Sequence, residues 1–238
     1  MLEIMTIEET LTHIKTAIET AISQNGRAGA ESLIRSGSVI NYIHEYIKNE
    51  FIAAGINPDY VYPRLGRSAP EIRMTGALKK KDQDICIIPS DFKPEQITEG
   101  VMEGEIDGVG QDLMNRSISI NIRSQMSSIS KNFDTLYERT FAEPLNLHLR
   151  APRLVTGDIY MIPVRAYDPD AMMDRLVAFR EYLPKKYIPA FQLLNNLASP
   201  DVDFYKYERV CLLIADFRPD RPVVLHSPDL LLEEELIA

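Results

Sequence analysis

The chain has 238 residues, 45% of them hydrophobic, and a formal net charge of -9 at pH 7. This length and apolar content can bury the core of one domain with elaborations, and no apolar run approaches the ~18 residues of a membrane span. The acidic charge argues against a passive nucleic-acid coat, but it leaves a DNA enzyme open because a local basic face can lie on an acidic body.

The first part of the chain is predicted to form two helices. Apolar residues recur at helical spacing from Ile7 to Ile22, and the segment SQNGRAG is predicted to end this helix. A second helical pattern spans residues 30–54, and the Pro- and Gly-rich residues 55–70 are predicted to be a connector without a core of its own. The acidic N-terminus lacks the apolar region of a signal peptide, so we expect no such leader.

Two strands are predicted next. The first lies around residues 71–74, and the segment TGALKKK leads to the second at residues 84–88. The uninterrupted apolar run after Asp84 indicates a central, well-buried strand. Residues 93–112 are rich in carboxylates and glycines and have no apolar periodicity, so we expect a long exposed loop there.

A strand that runs directly into a long helix is predicted between Ser117 and Arg150. Isoleucines alternate with polar residues along the strand, so one face is apolar and the other carries Ser119, Asn121 and Arg123. Polar groups on one face of a strand are either solvated or gathered around a site. The helix is expected to begin near the serines at positions 124, 127 and 128, and Pro144 is expected to kink or restart it.

The C-terminal part is predicted to contain two more strands with a helix between them. The strands lie in residues 154–164 and in the run before Asp216 and Arg218, and the helical residues 172–196 are broken by Pro184 and Pro189. This order of elements predicts an α/β or α+β fold with a central mixed β-sheet flanked by helices. We expect one domain over residues 1–238, with an N-terminal helical region at about 1–57 and a core at about 68–220. The acidic tail is either docked or frayed.

The two cysteines each lie inside an apolar run. Cys86 and Cys211 are therefore predicted to be small buried core residues rather than a disulfide pair. Free thiols of this kind indicate a reducing, cytoplasmic environment.

Residues 70–163 combine three features in one order. An acidic residue opens a buried strand in KKKDQDICII, a partner strand ends its polar face in NIRSQ, and a helix follows. This order resembles the PD-(D/E)XK nuclease superfamily, and more narrowly the type II restriction endonucleases. The family's partner strand typically carries an acid, any residue and then lysine, so this chain departs from the signature at Asn121 and Arg123. The fold that the resemblance implies is a restriction-endonuclease-like core.

The resemblance implies a Mg²⁺-dependent endonuclease that hydrolyses phosphodiester bonds of double-stranded DNA at a specific site, as a homodimer with one subunit per strand. Asn121 can offer a metal only a neutral carbonyl oxygen, and Arg123 can hold a phosphate but can hardly serve as a base. A second acid must therefore come from elsewhere. The metal-ligand candidates are Asp84, Glu71 and Asp82. The catalytic candidates are Asp84, Glu71, Arg123, Asn121 and Gln125.

Five further residues are candidates for contacting DNA: Lys79, Lys80, Lys81, Ser124 and Lys131. Structural alternatives stay open, because the lysines could form a basic turn and the polar strand face could be solvated. Glu71 could be a surface acid paired with Arg73 or Lys79, and Asp84 could be a strand-start residue. Asp158 is interpreted as a strand-start acid rather than a ligand. The histidines show no metal spacing, which argues against zinc.

A second function class is a catalytically inactive protein on the nuclease scaffold, which binds DNA or a protein partner. The departures at Asn121 and Arg123 keep this alternative open. A third is a metabolic α/β protein, for which no cofactor motif is found. The motifs for phosphate-binding loops, dinucleotide binding and serine hydrolases do not occur, so we expect no nucleotide cofactor.

Overall fold

The structure is a computed structural model and describes residues 5–126, 133–180, 185–199, 201–220, 223–225 and 227–237. Its helices are α1 (Ile7–Arg35), α2 (Ile40–Ala53), α3 (Gln111–Met114), α4 (Phe133–His148), α5 (Pro169–Met173), α6 (Tyr187–Leu194) and α7 (Pro228–Glu233). Its strands are β1 (Val61–Tyr62), β2 (Ile72–Thr75), β3 (Lys80–Gln83), β4 (Ile85–Ile87), β5 (Glu95–Gln96), β6 (Ile106–Asp107), β7 (Ile118–Ser124), β8 (Val155–Pro163), β9 (Ala166–Tyr167), β10 (Phe179–Arg180) and β11 (Arg209–Ala215).

The main sheet is five-stranded, in the order β1, β4, β7, β8, β11. Strand β4 is antiparallel to both of its neighbours, whereas β7, β8 and β11 are parallel to one another. Helix α4 lies in the connection between β7 and β8, because two parallel neighbours need a crossover between them. The mixed α/β content and the central mixed sheet flanked by helices are confirmed.

One face of the sheet packs against the two N-terminal helices. The predicted alternation in β7 is confirmed, since Ile122 lies in a buried cluster with Ile85 of β4 and Met161 of β8. Helices α1 and α2 contribute the apolar stripe that the sequence predicts: Leu11, Ile14, Ile18, Ile22 and Ile43.

The opposite face carries two separate apolar clusters. One contains Cys86 and Leu147, and the other contains Tyr160 and Tyr187. The strand register pairs Ser119 of β7 with Cys86 of β4, and Arg123 of β7 with Tyr160 of β8. The polar face of β7 therefore lies between two apolar clusters and beneath α4, which supplies Leu147.

The predicted end of the first helix is confirmed, because Gly26, within SQNGRAG, has non-helical backbone angles with φ 61°. A second helical segment, included in α1, continues from this break to Arg35. The predicted single helix over residues 30–54 is wrong, since residues 36–39, where Gly37 adopts φ 74°, separate α1 from α2. The connector contains the short edge strand β1, and two residues are too few for a periodic signal.

Prolines interrupt the later helices less than predicted. Helix α4 runs past Pro144 to His148 without a restart. The predicted helical segment at residues 172–196 contains the end of α5, the strand β10 and helix α6, and Pro189 lies in the first turn of α6, where a missing N–H is tolerated. Pro184 and the expected helix start at positions 127 and 128 lie outside the described residues.

The acidic segment at residues 93–112 is not a simple loop. It contains the antiparallel pair β5 and β6 and leads into α3. Both cysteines are free and Cys86 is buried, but Cys211 is exposed, contrary to prediction, because β11 is the last strand of the sheet. The tail is docked, since Leu236 is buried. Within the described part of the chain, no helix has the length and apolar character needed to span a membrane.

Candidate active site

Three polar residues lie in register across the polar face of the sheet. Asn121 of β7 pairs with Asp158 of β8, and the pair of Ile85 with Ile120 brings the next residue, Asp84, opposite Asn121. Paired residues of adjacent strands direct their side chains to the same face. The row therefore runs from Asp84, just before β4, through Asn121 of β7 to Asp158 of β8.

Asp84 is half-buried where β3 ends and β4 begins. Its Oδ2 accepts a hydrogen bond of 2.6 Å from the backbone N–H of Ile122. This bond holds the carboxylate against β7 and uses one of its two oxygens. Asp84 is therefore an oriented acid on the site face and not merely a solvated residue at the start of a strand.

Asn121 is buried and oriented by a neighbouring amide. Its Nδ2 donates to Oε1 of Gln83 at 3.2 Å, and the same oxygen accepts a hydrogen bond of 2.6 Å from Oγ of Ser119. The amide nitrogen is thereby committed to Gln83. The carbonyl oxygen of Asn121 is the atom that this arrangement leaves for a ligand.

Asp158 lies within β8 rather than at its start, and its side chain is 0% exposed. Neither carboxylate oxygen makes a hydrogen bond to the described residues. Burial raises the pKa of Asp158 to about 6, against the opposing effect of Arg123 and with a further increase from Asp84. The sequence-based interpretation of Asp158 as a strand-start acid did not anticipate this position in the row.

Arg123 connects this row to helix α4. Its Nη1 lies 3.3 Å from Oδ1 of Asp158 and donates to Oγ1 of Thr140 at 3.2 Å. Its Nη2 donates to the carboxylate of Glu143 on α4. The guanidinium is therefore enclosed between β8 and α4, and the predicted polar face of β7 is not a solvated one.

Glu143 is a site residue that the sequence does not single out. Its side chain is 4% exposed and forms ion pairs with both Arg123 and Lys81. The available signal was its place in the helix predicted after the polar strand, but a helix prediction alone does not tell which of its acids faces the sheet.

A cavity of about 420 Å³ opens beside these groups. Four basic residues contribute to its lining: Lys79, Lys81, Arg123 and Arg139. The turn that carries Lys79 is attached to α4, because Oδ1 of Asn146 accepts hydrogen bonds from the N–H groups of Leu78 at 2.8 Å and Lys79 at 3.2 Å. Lys79, Lys81 and Arg123 are among the candidates predicted from the sequence. The positive charges of the four residues favour an anionic ligand.

The two other acid candidates differ in their surroundings. Glu71 is exposed just before β2, and extending the pair of Ile72 with Gln83 by one residue places it opposite Asp84. Partial burial and the charges of Asp84 and Asp82 raise the pKa of Glu71. Asp82 instead forms a bidentate ion pair with Arg73, and the hydrogen bonds from Arg73 lower the pKa of Asp82.

The remaining candidates are not brought to the centre of the row. Gln125 is buried, with Tyr160 Oη 3.5 Å from its Oε1, and Ser124 is half-buried at the end of β7. Lys80 pairs with Glu105 at 2.7 Å, and Lys131 lies outside the described residues.

Metal-binding potential rests on a mixed set of oxygen atoms. The described part of the chain contains no group of three or more His, Cys, Asp or Glu side chains that could together hold a metal ion. The row on the sheet combines two carboxylates with one amide, and amide carbonyls are also ligands for hard cations.

Comparison with family models, with curated proteins and with solved structures finds no match to this chain. Its function must therefore be inferred from the side chains of the site.

Proposed function

We propose that this protein is a Mg²⁺-dependent endonuclease of double-stranded DNA, built on a restriction-endonuclease-like core. The observation that carries the proposal is the in-register placement of Asp84 and Asn121 on one face of the sheet, beside Arg123 and the basic cavity. This juxtaposition matches what the sequence resemblance implies for a buried strand opened by an acid and its polar partner strand.

The residues present fit a hard divalent cation. Asp84 makes one hydrogen bond to the described residues and keeps its second oxygen for a ligand. Glu71 lies opposite it, and the raised pKa of Glu71 reflects partial burial and repulsion by Asp84, which a cation between them would relieve. Asp84 and the carbonyl oxygen of Asn121 would hold the ion, and Glu71, opposite Asp84, would lie next to it. A bound Mg²⁺ would polarise the phosphodiester and lower the pKa of the attacking water.

The chain's own cations would position the substrate. Lys79, Lys81 and Arg139 line the cavity and would bind backbone phosphates. Arg123 would donate to the phosphate that carries the scissile bond, where its fixed guanidinium stabilises developing negative charge. None of these groups needs to change protonation state in the reaction.

A homodimer, with one subunit acting on each strand of a symmetric site, belongs to the same proposal. A cytoplasmic location remains a prediction from the two free cysteines.

One observation favours the second candidate, a catalytically inactive scaffold that binds DNA. Arg123 is already paired with Asp158 and Glu143, so the polar face could be a self-contained ion-pair network. In that case the basic cavity would bind phosphates without any metal, and DNA would remain intact.

The two candidates are separated by two measurements on purified protein. Incubation with phage DNA and Mg²⁺ should give discrete bands, and calorimetry should show uptake of Mg²⁺ or Mn²⁺. Asp84→Ala should abolish both, whereas Asp112→Ala, which removes an exposed acid on α3, should leave both unchanged. Intact DNA together with no metal uptake by the wild-type protein would favour the scaffold, and a fully active Asp84→Ala variant would refute the site.

A further inference from the structure

Asp158 is a buried carboxylate for which the described residues provide no hydrogen-bond donor. Its side chain is 0% exposed, and neither oxygen accepts a hydrogen bond from the described residues. Burying an ionised carboxylate costs free energy unless the group is paired and hydrogen-bonded, so this arrangement indicates a carboxylate whose oxygens bind a ligand.

The one cation in contact with Asp158 among the described residues is shared. Arg123 lies 3.3 Å from Oδ1 of Asp158, but it also donates to Glu143 and Thr140. Lys81 is likewise engaged by Glu143. Asp158 therefore shares its cation with Glu143 instead of having one of its own.

The position of Asp158 relates it to the proposed metal ligands. It pairs directly with Asn121, which lies opposite Asp84 on its other side. The charge of Asp84 also acts on Asp158. The carboxylate of Asp158 therefore lies on the same face of the sheet as the side chains of Asn121 and Asp84, at the end of the row opposite Asp84.

We propose that Asp158 is a ligand of a divalent cation on this face, together with Asp84 and the carbonyl oxygen of Asn121. Arg123 is the group that neutralises Asp158 when no metal is bound. The ligand set is all oxygen, which suits Mg²⁺ and Mn²⁺. This inference rests on the proposed function for the identity of the site, but it assigns a ligand that neither the sequence pattern nor the resemblance provides.

The direct test is calorimetric titration with Mn²⁺ in the absence of DNA. Asp158→Asn, which keeps the shape and removes the charge, should weaken Mn²⁺ binding by at least about 10-fold, since loss of even an outer-shell group costs that much. The matched control is Asp107→Asn, because Asp107 is equally buried and pairs with Arg150 at 2.9 Å. The control should bind Mn²⁺ like the wild-type protein. Unchanged Mn²⁺ affinity in a folded Asp158→Asn protein would overturn the assignment.

A second variant tests the same assignment in the opposite direction. Arg123→Gln removes the competing cation, so Mn²⁺ should bind more tightly and raise the thermal midpoint more than it does for the wild-type protein. If Asp158→Asn fails to fold, this variant alone decides, and a weaker Mn²⁺ affinity in Arg123→Gln would reject the proposal.

Failure here is distinguishable from failure of the proposed function. If Asp84→Ala loses Mn²⁺ binding and cleavage while Asp158→Asn keeps its Mn²⁺ affinity, the nuclease stands and the role of Asp158 falls. If Mn²⁺ binds in an Asp158-dependent manner but no DNA is cut, the metal site stands and the nuclease falls. If the wild-type protein binds no Mn²⁺, both fall.

Discussion

Arg123 of β7 and Glu143 of α4 form an ion pair that joins the polar face of the sheet to the helix covering it. Glu143 also pairs with Lys81 from β3, so one buried carboxylate holds two of the cations beside the cavity. This arrangement makes Glu143 a positioning residue for the phosphate-binding groups rather than a ligand of the substrate.

Replacing Glu143 should therefore affect the chemical step more than DNA binding. Glu143→Gln removes the charge that orients Arg123, and we expect single-turnover cleavage to fall by about 10–100-fold while DNA affinity stays equal or rises. Glu143→Ala should also lower the free energy of unfolding by about 3 kcal/mol, because it leaves two partly buried cations without their anion. Equal cleavage rates for the wild-type and Gln proteins would contradict this role.

Arg123 is expected to act on the transition state. Arg123→Ala should lower the single-turnover rate by ~10²-fold or more, the loss seen when one preorganised donor is removed. Arg123→Lys should keep part of that rate, since lysine supplies the charge but not the planar fork. If Arg123 only positions backbone phosphate, the Ala variant would bind DNA more weakly and cleave bound DNA at the normal rate.

One pair of substitutions distinguishes whether Glu71 or Asp82 is the second acid of the site. Glu71→Gln should abolish cleavage, because Glu71 lies opposite Asp84 and feels its charge. Asp82→Asn should leave cleavage unchanged, because Asp82 is held by Arg73 in a bidentate ion pair. The reverse pattern of activities would make Asp82 the second acid, and thermal unfolding of both variants controls for lost stability.

Two neighbouring lysines should differ in their contribution to DNA binding. Lys79 lines the cavity, whereas Lys80 pairs with Glu105. Lys79→Ala should weaken binding and reduce the slope of log affinity against log salt by about 0.9, the value for one phosphate contact. Lys80→Ala should leave the slope unchanged. Equal slopes for the two variants would mean that the cavity is not where DNA phosphates bind.

Stability should depend on pH through Glu234, which docks the C-terminal tail. Burial raises the pKa of Glu234, but hydrogen bonds from Arg218 and Arg165 outweigh it, so the net pKa lies below its ordinary value. Its contribution is complete above the ordinary pKa of ~4.3 and is lost as pH falls through the lower folded pKa.

The matching variant is Glu234→Gln. It should lower the free energy of unfolding at pH 7 by about 2 kcal/mol. Between about pH 5 and about pH 3 it should lose less stability than the wild-type protein, because the variant has no carboxylate to protonate at this position. Glu235→Gln, at an exposed neighbouring position, should behave like the wild-type protein. Parallel stability curves for Glu234→Gln and wild type would reject the role of Glu234.

Local patterns predicted the parts of the fold that depend on local order. Alternation in β7 correctly placed Ile122 in the core and Asn121 with Arg123 on the other face, because strand geometry fixes that relation. Asp158 and Glu143 were not predicted to join them. Their positions depend on the register of a parallel pair and on the rotation of a crossover helix, and both are set by contacts between distant segments. The helix end at Gly26 was predicted correctly, whereas the restart predicted at Pro144 failed because tertiary packing can override local propensity.

The attachment of the lysine turn to α4 has a consequence for the cost of binding. A Cβ atom at Gly76 would overlap the side-chain amide of Asn146, so the turn and the helix are in close contact there as well as through hydrogen bonds. The basic groups of Lys79 and Arg139 therefore come from chain segments that folding has already locked together. A phosphate that enters the cavity does not have to order the turn, so little backbone entropy is lost on association and more of the electrostatic attraction is retained as affinity. An alanine at position 76 should accordingly weaken DNA binding without removing any charge.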